Sequence, residues 1–374
     1  MTEEQIYTIA LQRITFNHPQ AALELYQRAG GAKAVHDCRH DIMQLLPDAT
    51  PALSQLLRND WQETLRWAEK ELTWCEEKKI RVLTPGMADY PQRLVECADA
   101  PLVVYYRGTS DLNSRHIISM VGTRQSTEYG HDVIHRMMQD LRKQISDVLI
   151  ISGLAYGIDV ESHREALAVG YDTVGVLAHG LDTIYPAVHR NTAVKMVEQG
   201  GLLTEYTSQA HIDRQNFLRR NRIVAGLSDA TIVVESKARG GSLATARLAT
   251  EYGREVMAVP GRIDCDTSAG CNELIRSQRA RILTCAQDII DLLGWHADSE
   301  RTAASQQGIQ RELFSNFSPE EQKVVDALSH ADLHINELGM QTGLSISSLS
   351  AILFGFEMRG VVRAMAGNKY HLIR

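Results

Sequence analysis

The sequence predicts an α/β protein whose central part is a doubly wound, Rossmann-like parallel sheet. This prediction rests on an alternation along the chain. From about residue 113 to residue 294, short apolar runs bounded by glycine alternate with stretches of helical periodicity. This alternation is typical of repeated strand–helix–strand units, which build a parallel sheet covered by helices on both faces. The flanking segments lack it, and they predict a helical domain before the sheet and a winged helix after it.

The composition permits two or three domains in the 374 residues and indicates compact cores, because 44% of the residues are hydrophobic. The net charge is −7 and the pI is about 6.1. A globally basic nucleic-acid-binding surface is therefore excluded, and any such binding requires a local basic patch.

The six cysteines include no C-x-x-C pair, and no histidine tandem at zinc spacing accompanies them. We therefore expect free thiols in a reducing compartment, with no metal and no cofactor. The N-terminus lacks a basic and apolar leader, and no apolar run reaches membrane-spanning length. These observations predict a cytoplasmic protein without a membrane partner.

Residues 1–80 read as the N-terminal helical domain. A helix is predicted over residues 19–29, ended by Gly30 and Gly31, and one amphipathic face continues for about seven turns from Pro51 to Cys75. The glycine pair has two interpretations. It either belongs to a helix-hairpin-helix that binds phosphate, or it simply stops a helix, which we favour.

Residues 81–294 are predicted to form the Rossmann-like domain, in which residues 81–112 are an extended lead-in containing a strand at 101–106. The predicted strands that follow are 117–121, 148–151, 173–177, 202–206, 231–235, 256–259 and 281–283. The predicted crossover helices include 128–144, 159–169 and 243–252.

Residues 295–315 are polar and are predicted to be a linker, and residues 316–374 are predicted to be the winged helix. Ser318 and Pro319 are typical of a helix start. The segment holds five basic and six acidic residues, and its third helix has no base before Arg359. Whether this segment contacts a protein or binds DNA weakly is left open by the sequence.

Loops that follow strands carry the candidate binding groups, because ligands of open α/β sheets bind at the carboxyl ends of strands. Three such loops combine small residues with exposed backbone amides or a base, a pattern that favours anions. The candidate residues are Gly122, Thr123, Arg124, Ser152, Gly153, Gly240, Gly241 and Ser242. Together they predict a phosphate-binding rim.

A second candidate region combines arginines with one aromatic residue. Arginine pairs with phosphate oxygens, and a ring can stack on an unpaired base. The candidate residues are Arg214, Asn216, Phe217, Arg219, Arg220, Asn221 and Arg222. The alternative interpretation is a solvated, arginine-rich helix start that holds carboxylates of its own protein.

Motifs of several enzyme classes are missing. The sequence has no P-loop, no G-x-G-x-x-G in the first turn and no G-x-S-x-G. Asp159 and His163 are four residues apart and would share a helix face, as a catalytic pair would. We favour a helix N-cap for Asp159 and hydrogen-bonded packing for His163, and likewise packing for His179 and His189.

Several motifs occur in a characteristic order. They are Tyr90-Pro-x-x-Leu94, Val121-Gly-Thr-Arg124, Ser152-Gly-Leu-Ala-Tyr-Gly-Ile-Asp159, Gly180-Leu-Asp-x-x-Tyr-Pro186, Asn216-Phe-x-x-Arg-Asn-Arg222-Ile-x-Ala-Gly226, Gly241-Ser-Leu243 and Val259-Pro-Gly261. Over about residues 80–294 the chain thereby resembles the DNA-processing protein A (DprA/Smf) family. Leu218 departs from the proline usual in that family, and Arg239-Gly240-Gly241 departs from its Arg-Ser-Gly.

The resemblance implies a single-stranded-DNA-binding protein that protects incoming DNA and helps load the RecA recombinase during natural transformation. It implies a homodimer and no enzymatic activity. It assigns phosphate contact to Arg124 and basic and aromatic contacts to Arg214 and Phe217. In the motif quoted above, the family's Arg-Asn-Arg run falls on Arg220, Asn221 and Arg222. The N-terminal helical domain (sterile-alpha-like) and the winged helix resemble common additions to the family in type rather than in sequence.

Two other functions compete with DNA binding. Gly240-Gly241-Ser242 followed by Glu251 distantly echoes the motif of Lonely-guy phosphoribohydrolases, which would make the protein a nucleotide-processing enzyme. Alternatively, the winged helix and the N-terminal helices recruit partners, and the chain is an adaptor.

Overall fold

The computed structural model describes residues 2–58, 61–296, 317–329, 333–359, 361–365 and 368–372. The chain divides into two compact units, Met1–Trp295 and His296–Arg374. The first unit contains the N-terminal helices together with the large sheet, and the second contains the C-terminal module. The predicted domain boundary at residue 80 stays a prediction, as do those of the linker at 295–315, most of which lies outside the described residues.

Local capping signals set the ends of the N-terminal helices. The Thr2 hydroxyl accepts a hydrogen bond from the backbone amide of Gln5 at 3.3 Å, and Gly30 ends the second helix with a φ of 81°. The predicted helix from Pro51 is described as two helices on either side of residues 59–60, which lie outside the described part. The helices are α1 (Glu3–Ile14), α2 (Pro19–Ala29), α3 (Ala32–Asp37), α4 (Ile42–Leu45), α5 (Pro51–Arg58) and α6 (Trp61–Glu77).

Apolar runs after residue 80 form the strands of a nine-stranded sheet in the described part of the chain. Its strands are β1 (Arg81–Leu83), β2 (Val104–Gly108), β3 (His116–Val121), β4 (Val148–Ser152), β5 (Asp172–Val176), β6 (Gly200–Thr204), β7 (Ala230–Val233), β8 (Glu255–Ala258) and β9 (Arg281–Ile282). Its helices are α7 (Gln92–Val95), α8 (Glu128–Arg142), α9 (Ile158–Val169), α10 (Arg190–Glu198), α11 (Arg214–Gly226), α12 (Gly241–Glu251), α13 (Ala269–Arg276) and α14 (Ala286–Leu293). The predicted α/β fold class is confirmed.

The strand order is β1-β2-β6-β5-β4-β3-β7-β8-β9. The seven strands from β6 to β9 in this order pair in parallel, whereas β1 and β2 add an antiparallel edge. From β3 the chain builds outwards through β4, β5 and β6, and then returns to place β7 on the other side of β3. The loops after β3 and β7 therefore leave the sheet in opposite directions and open a crevice between them.

The N-terminal helices share a continuous apolar core with one face of this sheet. Leu11 of α1, Leu72 of α6 and Val104 of β2 belong to the same buried cluster. The Gln12 side chain adds a polar tie, because its amide nitrogen donates to the Val103 carbonyl oxygen at 3.1 Å and its oxygen accepts from the Val103 amide at 2.7 Å. Helices α8 and α14 cover the other face.

The C-terminal unit is a helical module with a three-stranded antiparallel sheet. Ser318 caps its first helix, as predicted, and Gly343 ends the second with a φ of 71°. The order of strands is β10-β12-β11, and β11 and β12 form the predicted hairpin. The elements are α15 (Pro319–Leu328), β10 (Leu333–His334), α16 (Ile335–Thr342), α17 (Ile346–Met358), β11 (Val362–Met365) and β12 (Lys369–Leu372).

One predicted cap is wrong. Gly157, and not Asp159, is the N-cap of α9, and it has a φ of 75°. A Cβ on Gly157 would overlap the carbonyl oxygen of Thr123, so both the left-handed conformation and the close approach require glycine. Asp159 lies inside the helix, where its carboxylate accepts a hydrogen bond from the Ala155 amide at 3.3 Å.

Within the described residues, no single helix has the length and apolar composition to cross a membrane. Helices α16 and α17 are long and apolar enough only when they are counted together, and the chain bends by 111° between them.

Candidate nucleic-acid interface

A cleft of about 620 Å³ opens at the carboxyl ends of β3 and β7, beneath α11 and beside the start of α12. This is the crevice that the strand order creates. Its lining residues are Val121, Gly122, Thr123, Arg124, Gly153, Ala155, Asp159, Tyr185, Ile212, Asp213, Arg214, Phe217, Leu218, Arg220, Asn221, Val224, Ser236, Lys237, Arg239, Gly240, Gly241, Ser242 and Thr245.

The loop after β3 is held rigidly. A Cβ on Gly122 would overlap the Ile158 side chain and come within 2.9 Å of the Glu235 carbonyl oxygen. The Thr123 amide donates to that same oxygen at 2.8 Å, and the Thr123 carbonyl accepts from the Ile158 amide at 3.2 Å. This fixed backbone places Arg124 on the exposed rim of the cleft.

Glu235 joins two loops of the rim. Its buried carboxylate accepts hydrogen bonds from the Thr127 amide at 2.9 Å, the Thr127 hydroxyl at 2.7 Å and the Thr267 hydroxyl at 3.1 Å. A buried carboxylate requires such donors. From the sequence, Glu235 was identifiable only as the end of a strand, because Thr127 and Thr267 lie far from it along the chain.

The first turn of α11 carries the aromatic and basic groups of the opposite wall. Asp213 caps this helix by accepting a hydrogen bond from the Gln215 amide at 2.7 Å. Arg214 is exposed and Phe217 is half-buried. The Arg124 guanidinium lies 5.6 Å from the centroid of the Phe217 ring, so the rim arginine and the ring face each other across the cleft.

A buried charge pair lies at the floor. Arg220 is 4% exposed and donates to the carbonyl oxygens of Gly153, at 2.7 Å, and Val176. Burial raises the pKa of Asp159, and the nearby Arg220 opposes this shift. A Cβ on Gly153 would overlap the Asp159 carboxylate and lie 2.5 Å from the Arg220 guanidinium. Arg220 therefore supports the floor and has little freedom to follow a ligand.

The remaining wall is the start of α12. Gly240 is the N-cap, and a Cβ on it would overlap the Ser236 hydroxyl, which accepts a hydrogen bond from Ser242 at 2.9 Å. The first amides of a helix have no acceptor within the helix and attract anions. Lys237 and Arg239 are exposed beside them. This wall therefore combines backbone donors with two positive charges.

Four predicted site residues do not line the cleft. The Ser152 hydroxyl is buried and donates to the Met120 carbonyl at 2.6 Å. The side-chain amide of Asn216 donates to the His211 carbonyl oxygen at 3.1 Å and fixes the approach to α11. The other two are Arg219 and Arg222.

Arg219 and Arg222 lie on the far side of α11. Arg219 packs 5.4 Å from the centroid of the Phe16 ring. Arg222 forms a buried ion pair with Glu205 and donates to the Asp99 carbonyl at 2.7 Å. The cause is helical periodicity, which turns these two positions away from the face that carries Phe217. Arg222 therefore fits the alternative interpretation given above, in which an arginine of this segment pairs with a carboxylate of its own protein.

The cleft is positively charged within an acidic protein. Five basic side chains line it, against the two acids Asp159 and Asp213. The whole chain has a net charge of −7. Lys237, Arg239 and Tyr185 belong to this lining but were not among the predicted site residues. Their position after strand ends was the signal that could have identified them.

The histidines near the cleft are packing residues, as we favoured. His163, His179 and His189 are buried, and each is hydrogen-bonded through Nδ1. Burial lowers the pKa of His163 to about 3, and the Arg220 charge adds to this effect. In the part of the chain that the structure describes, no group of three or more His, Cys, Asp or Glu side chains is placed to hold a metal ion.

Comparisons with known proteins agree with this architecture. The sequence model of the DNA recombination-mediator protein A family matches residues 81–294, and that of the DprA winged helix domain matches residues 300–368. Protein Smf of Synechocystis sp. is 31% identical over 323 residues, which cover 79% of this chain and 81% of that protein. Protein Smf of Escherichia coli is 32% identical over 322 residues, which cover 82% and 81%.

Solved structures are similar as well. The X-ray structure of DNA processing protein A from Streptococcus pneumoniae has a TM-score of 0.65 and 29% identity, and the match covers 78% of this chain and 98% of that one. DNA processing protein A from Helicobacter pylori, described with a single-stranded DNA binding mode, has a TM-score of 0.52 and 28% identity, with 58% and 98% coverage.

Proposed function

Since this chain belongs to the DNA recombination-mediator protein A family, we propose that it binds single-stranded DNA along the cleft at the carboxyl ends of β3 and β7. One observation carries this proposal. Exposed cations, free helix amides and an aromatic ring meet in one cleft of an otherwise acidic protein. The cations and the helix amides attract phosphates, and the ring can stack on an unpaired base. Phosphates and unpaired bases occur together in single-stranded nucleic acid.

Phosphates of the strand would contact both walls. Arg124 on the rim and Arg214 on α11 are exposed and form no ion pair among the described residues, so their guanidinium groups are free for phosphate oxygens. The amides at Gly241 and Ser242, with Lys237 beside them, would hold a neighbouring phosphate. Several such contacts make the affinity strongly dependent on salt.

A base would stack on Phe217. Each stacked base contributes about 1–3 kcal/mol, and a ring can reach a base face only when that base is unpaired. The ring therefore favours single-stranded over double-stranded DNA. The related protein from Helicobacter pylori is described as binding single-stranded DNA, which supports this choice for the present chain.

An enzymatic role as a phosphoribohydrolase has less support. Gly241 begins α12 and Glu251 ends it, so roughly 15 Å of helix separates the glycine turn from the proposed acid. Glu251 instead forms an exposed ion pair with Arg247 at 3.5 Å. We propose that the protein acts by binding rather than by catalysis.

The remaining parts of the function rest on the family. As a recombination mediator the protein processes DNA, and we propose that it protects incoming single strands and helps load RecA during natural transformation. We propose a homodimer and a cytoplasmic location. The six free cysteines agree with a reducing compartment.

The test is fluorescence anisotropy of a labelled oligo-dT with the wild type and with the Arg124→Ala, Arg214→Ala double variant. We expect tight binding by the wild type and a loss of roughly 30- to 900-fold in the variant, since each of the two lost phosphate contacts contributes about 1–2 kcal/mol. A labelled duplex of the same length should bind more weakly than oligo-dT. Equal affinity of both proteins for oligo-dT would place the binding site outside the cleft.

A further inference from the structure

Beyond the residues assigned above, one aromatic side chain of the cleft has no role in the proposed contacts. Tyr185 lines the cleft and is 47% exposed, which is high for a ring of its size. Its ring centroid lies 5.9 Å from that of Phe217, with an angle of 60° between the planes. The two rings therefore form an edge-to-face pair that lines the cleft.

The backbone below Tyr185 is fixed. Its amide donates to Nε2 of the buried His179 at 3.2 Å, and Nδ1 of His179 lies 2.9 Å from the Gly180 carbonyl oxygen. A Cβ on Gly180 would overlap the Thr207 carbonyl oxygen, so the loop also lies tightly against the chain after β6. An exposed ring on a fixed support is suited to binding, because little conformational entropy is lost when a ligand orders it.

The tyrosine hydroxyl takes no part in this arrangement. Among the described residues, the interactions of Tyr185 are the bond of its backbone amide and the ring contact with Phe217. A ring kept only for the packing of the protein would be expected to bury its face, and a tyrosine kept for its hydroxyl would be expected to have a hydrogen-bond partner. Neither description fits Tyr185.

Lys237, Arg239 and the α12 amides follow β7, whereas Tyr185 follows β5 and lies beside Phe217 of α11. Arg124, whose guanidinium is 5.6 Å from the Phe217 ring centroid, places a positive charge next to the two rings. Strands β7 and β5 are three positions apart in the sheet, roughly 14 Å, which is long enough for more than one nucleotide. A strand lying along this edge would have one phosphate at the α12 amides and, near the rings, both a phosphate at Arg124 and exposed bases.

We infer that Tyr185 is a second base-contacting residue, so that the cleft contacts two unpaired bases through the Tyr185 and Phe217 rings. The inference rests on the proposed binding of single-stranded DNA in this cleft. Because the rings are tilted by 60°, one base cannot lie parallel to both of them, and each ring contacts its own base. Tyr185 thereby increases the preference of the cleft for unpaired DNA.

The experiment compares two labelled oligomers of equal length, oligo-dT and an oligomer of abasic sites, which keeps the phosphates but has no bases. The proteins are the wild type, Tyr185→Leu, Tyr185→Phe, Tyr185→Trp and Arg124→Ala. Tyr185→Leu should weaken oligo-dT binding by roughly 5- to 150-fold, the range expected for one stacked base. The phenylalanine and tryptophan variants keep a ring and should bind oligo-dT within about threefold of the wild type or, for tryptophan, more tightly.

On the abasic oligomer, Tyr185→Leu should bind as the wild type does, whereas Arg124→Ala should weaken the binding of both oligomers. The inference is overturned if Tyr185→Leu binds oligo-dT like the wild type, or if it loses the same factor on both oligomers. Both results leave single-stranded DNA binding by the wild type intact. Failure of the wild type to bind oligo-dT refutes the proposed function, and this inference with it. Thermal unfolding checks that each variant is folded.

Discussion

Replacing Arg124 by alanine should weaken single-stranded DNA binding and make that binding less sensitive to salt. Arg124 is exposed on a backbone that Glu235 and Ile158 hold in place, so its loss should leave the loop itself unchanged. The substitution removes one guanidinium and thereby one phosphate contact from the cleft. The other exposed cations of the lining remain.

The size of the effect follows from two opposing contributions. A hydrogen bond to a charged group contributes about 1.5–3 kcal/mol. In the free protein Arg124 lies 5.6 Å from the centroid of the Phe217 ring. That cation–π contact is worth about 0.5–1 kcal/mol and is lost if the guanidinium moves to a phosphate. The difference is about 1–2 kcal/mol, which corresponds to roughly a 5- to 30-fold weaker affinity.

The salt dependence gives a second, independent number. Each phosphate neutralised on a single strand contributes about 0.7 to the slope of log K against log salt. Arg124→Ala should therefore flatten the slope by about 0.7, and the affinity ratio of wild type to variant should fall about twofold between about 0.1 and 0.3 M salt. Arg124→Lys should keep the slope but lose part of the affinity, because it keeps the charge and loses the fork.

Anisotropy of labelled oligo-dT over a salt series measures both quantities. Arg247→Ala is the matched control, because Arg247 lies on α12, is 74% exposed at its side chain and does not line the cleft. It should change neither the affinity nor the slope by more than the error of the fits. An unchanged slope for Arg124→Ala, or an equal change for Arg247→Ala, would refute a direct phosphate contact.

Three further predictions concern the surroundings of the cleft. Arg222→Ala leaves the buried Glu205 carboxylate unpaired and should lower the free energy of unfolding by about 3–5 kcal/mol in chemical denaturation, while oligo-dT affinity of the folded variant stays within about twofold of the wild type. A large loss of affinity without loss of stability would contradict this. Burial lowers the pKa of His163 from 6.5 to about 3, so the unfolded chain takes up a proton as pH falls through 6.5 and the folded chain does not. Between pH 7.5 and 5.5 the wild type should therefore lose about 1.4 kcal/mol more of its free energy of unfolding than His163→Gln does. Equal losses for the two proteins in urea titrations would contradict a lowered pKa of His163. Glu71 of α6 accepts a hydrogen bond from the Ser208 amide at 2.6 Å and one from its hydroxyl, so Glu71→Ala should free the segment before α11 and weaken oligo-dT binding by about 1–2 kcal/mol with an unchanged salt slope. A changed slope would instead indicate a lost phosphate contact.

The order of the elements could be read from the chain because the signals are local. Each signal acts within a few residues: Gly30 follows α2, Ser318 caps α15, Pro319 begins it, and apolar runs mark the parallel strands. The strand of residues 202–206 was placed two residues late, because the glycines of β6 were read as its boundary although both pair within the sheet. Glycine often occurs in the turn next to a strand, but inside a strand its backbone forms sheet hydrogen bonds like that of any other residue.

The groups of the cleft were only partly identifiable from the sequence. The turn carrying Arg124 and the glycines before α12 stood at strand ends, where a parallel sheet gathers its ligand-binding loops. Among the arginines of α11, the sequence could not separate Arg214, which faces the cleft, from Arg222, which faces Glu205. That choice depends on which face of the helix meets the sheet.

The sequence by itself therefore determined the fold class, the family resemblance and the segments that carry phosphate-binding chemistry. Only the tertiary structure decided which side chains face one another. Tyr185 meets Phe217, the carboxylate of Glu235 holds two distant loops, and the Glu71 carboxylate holds Ser208 across 137 positions. The physical reason is that periodicity and capping are properties of neighbouring residues. Partners of buried charges and the walls of a cleft are instead set by strand order and helix packing, which bring together residues far apart in the chain.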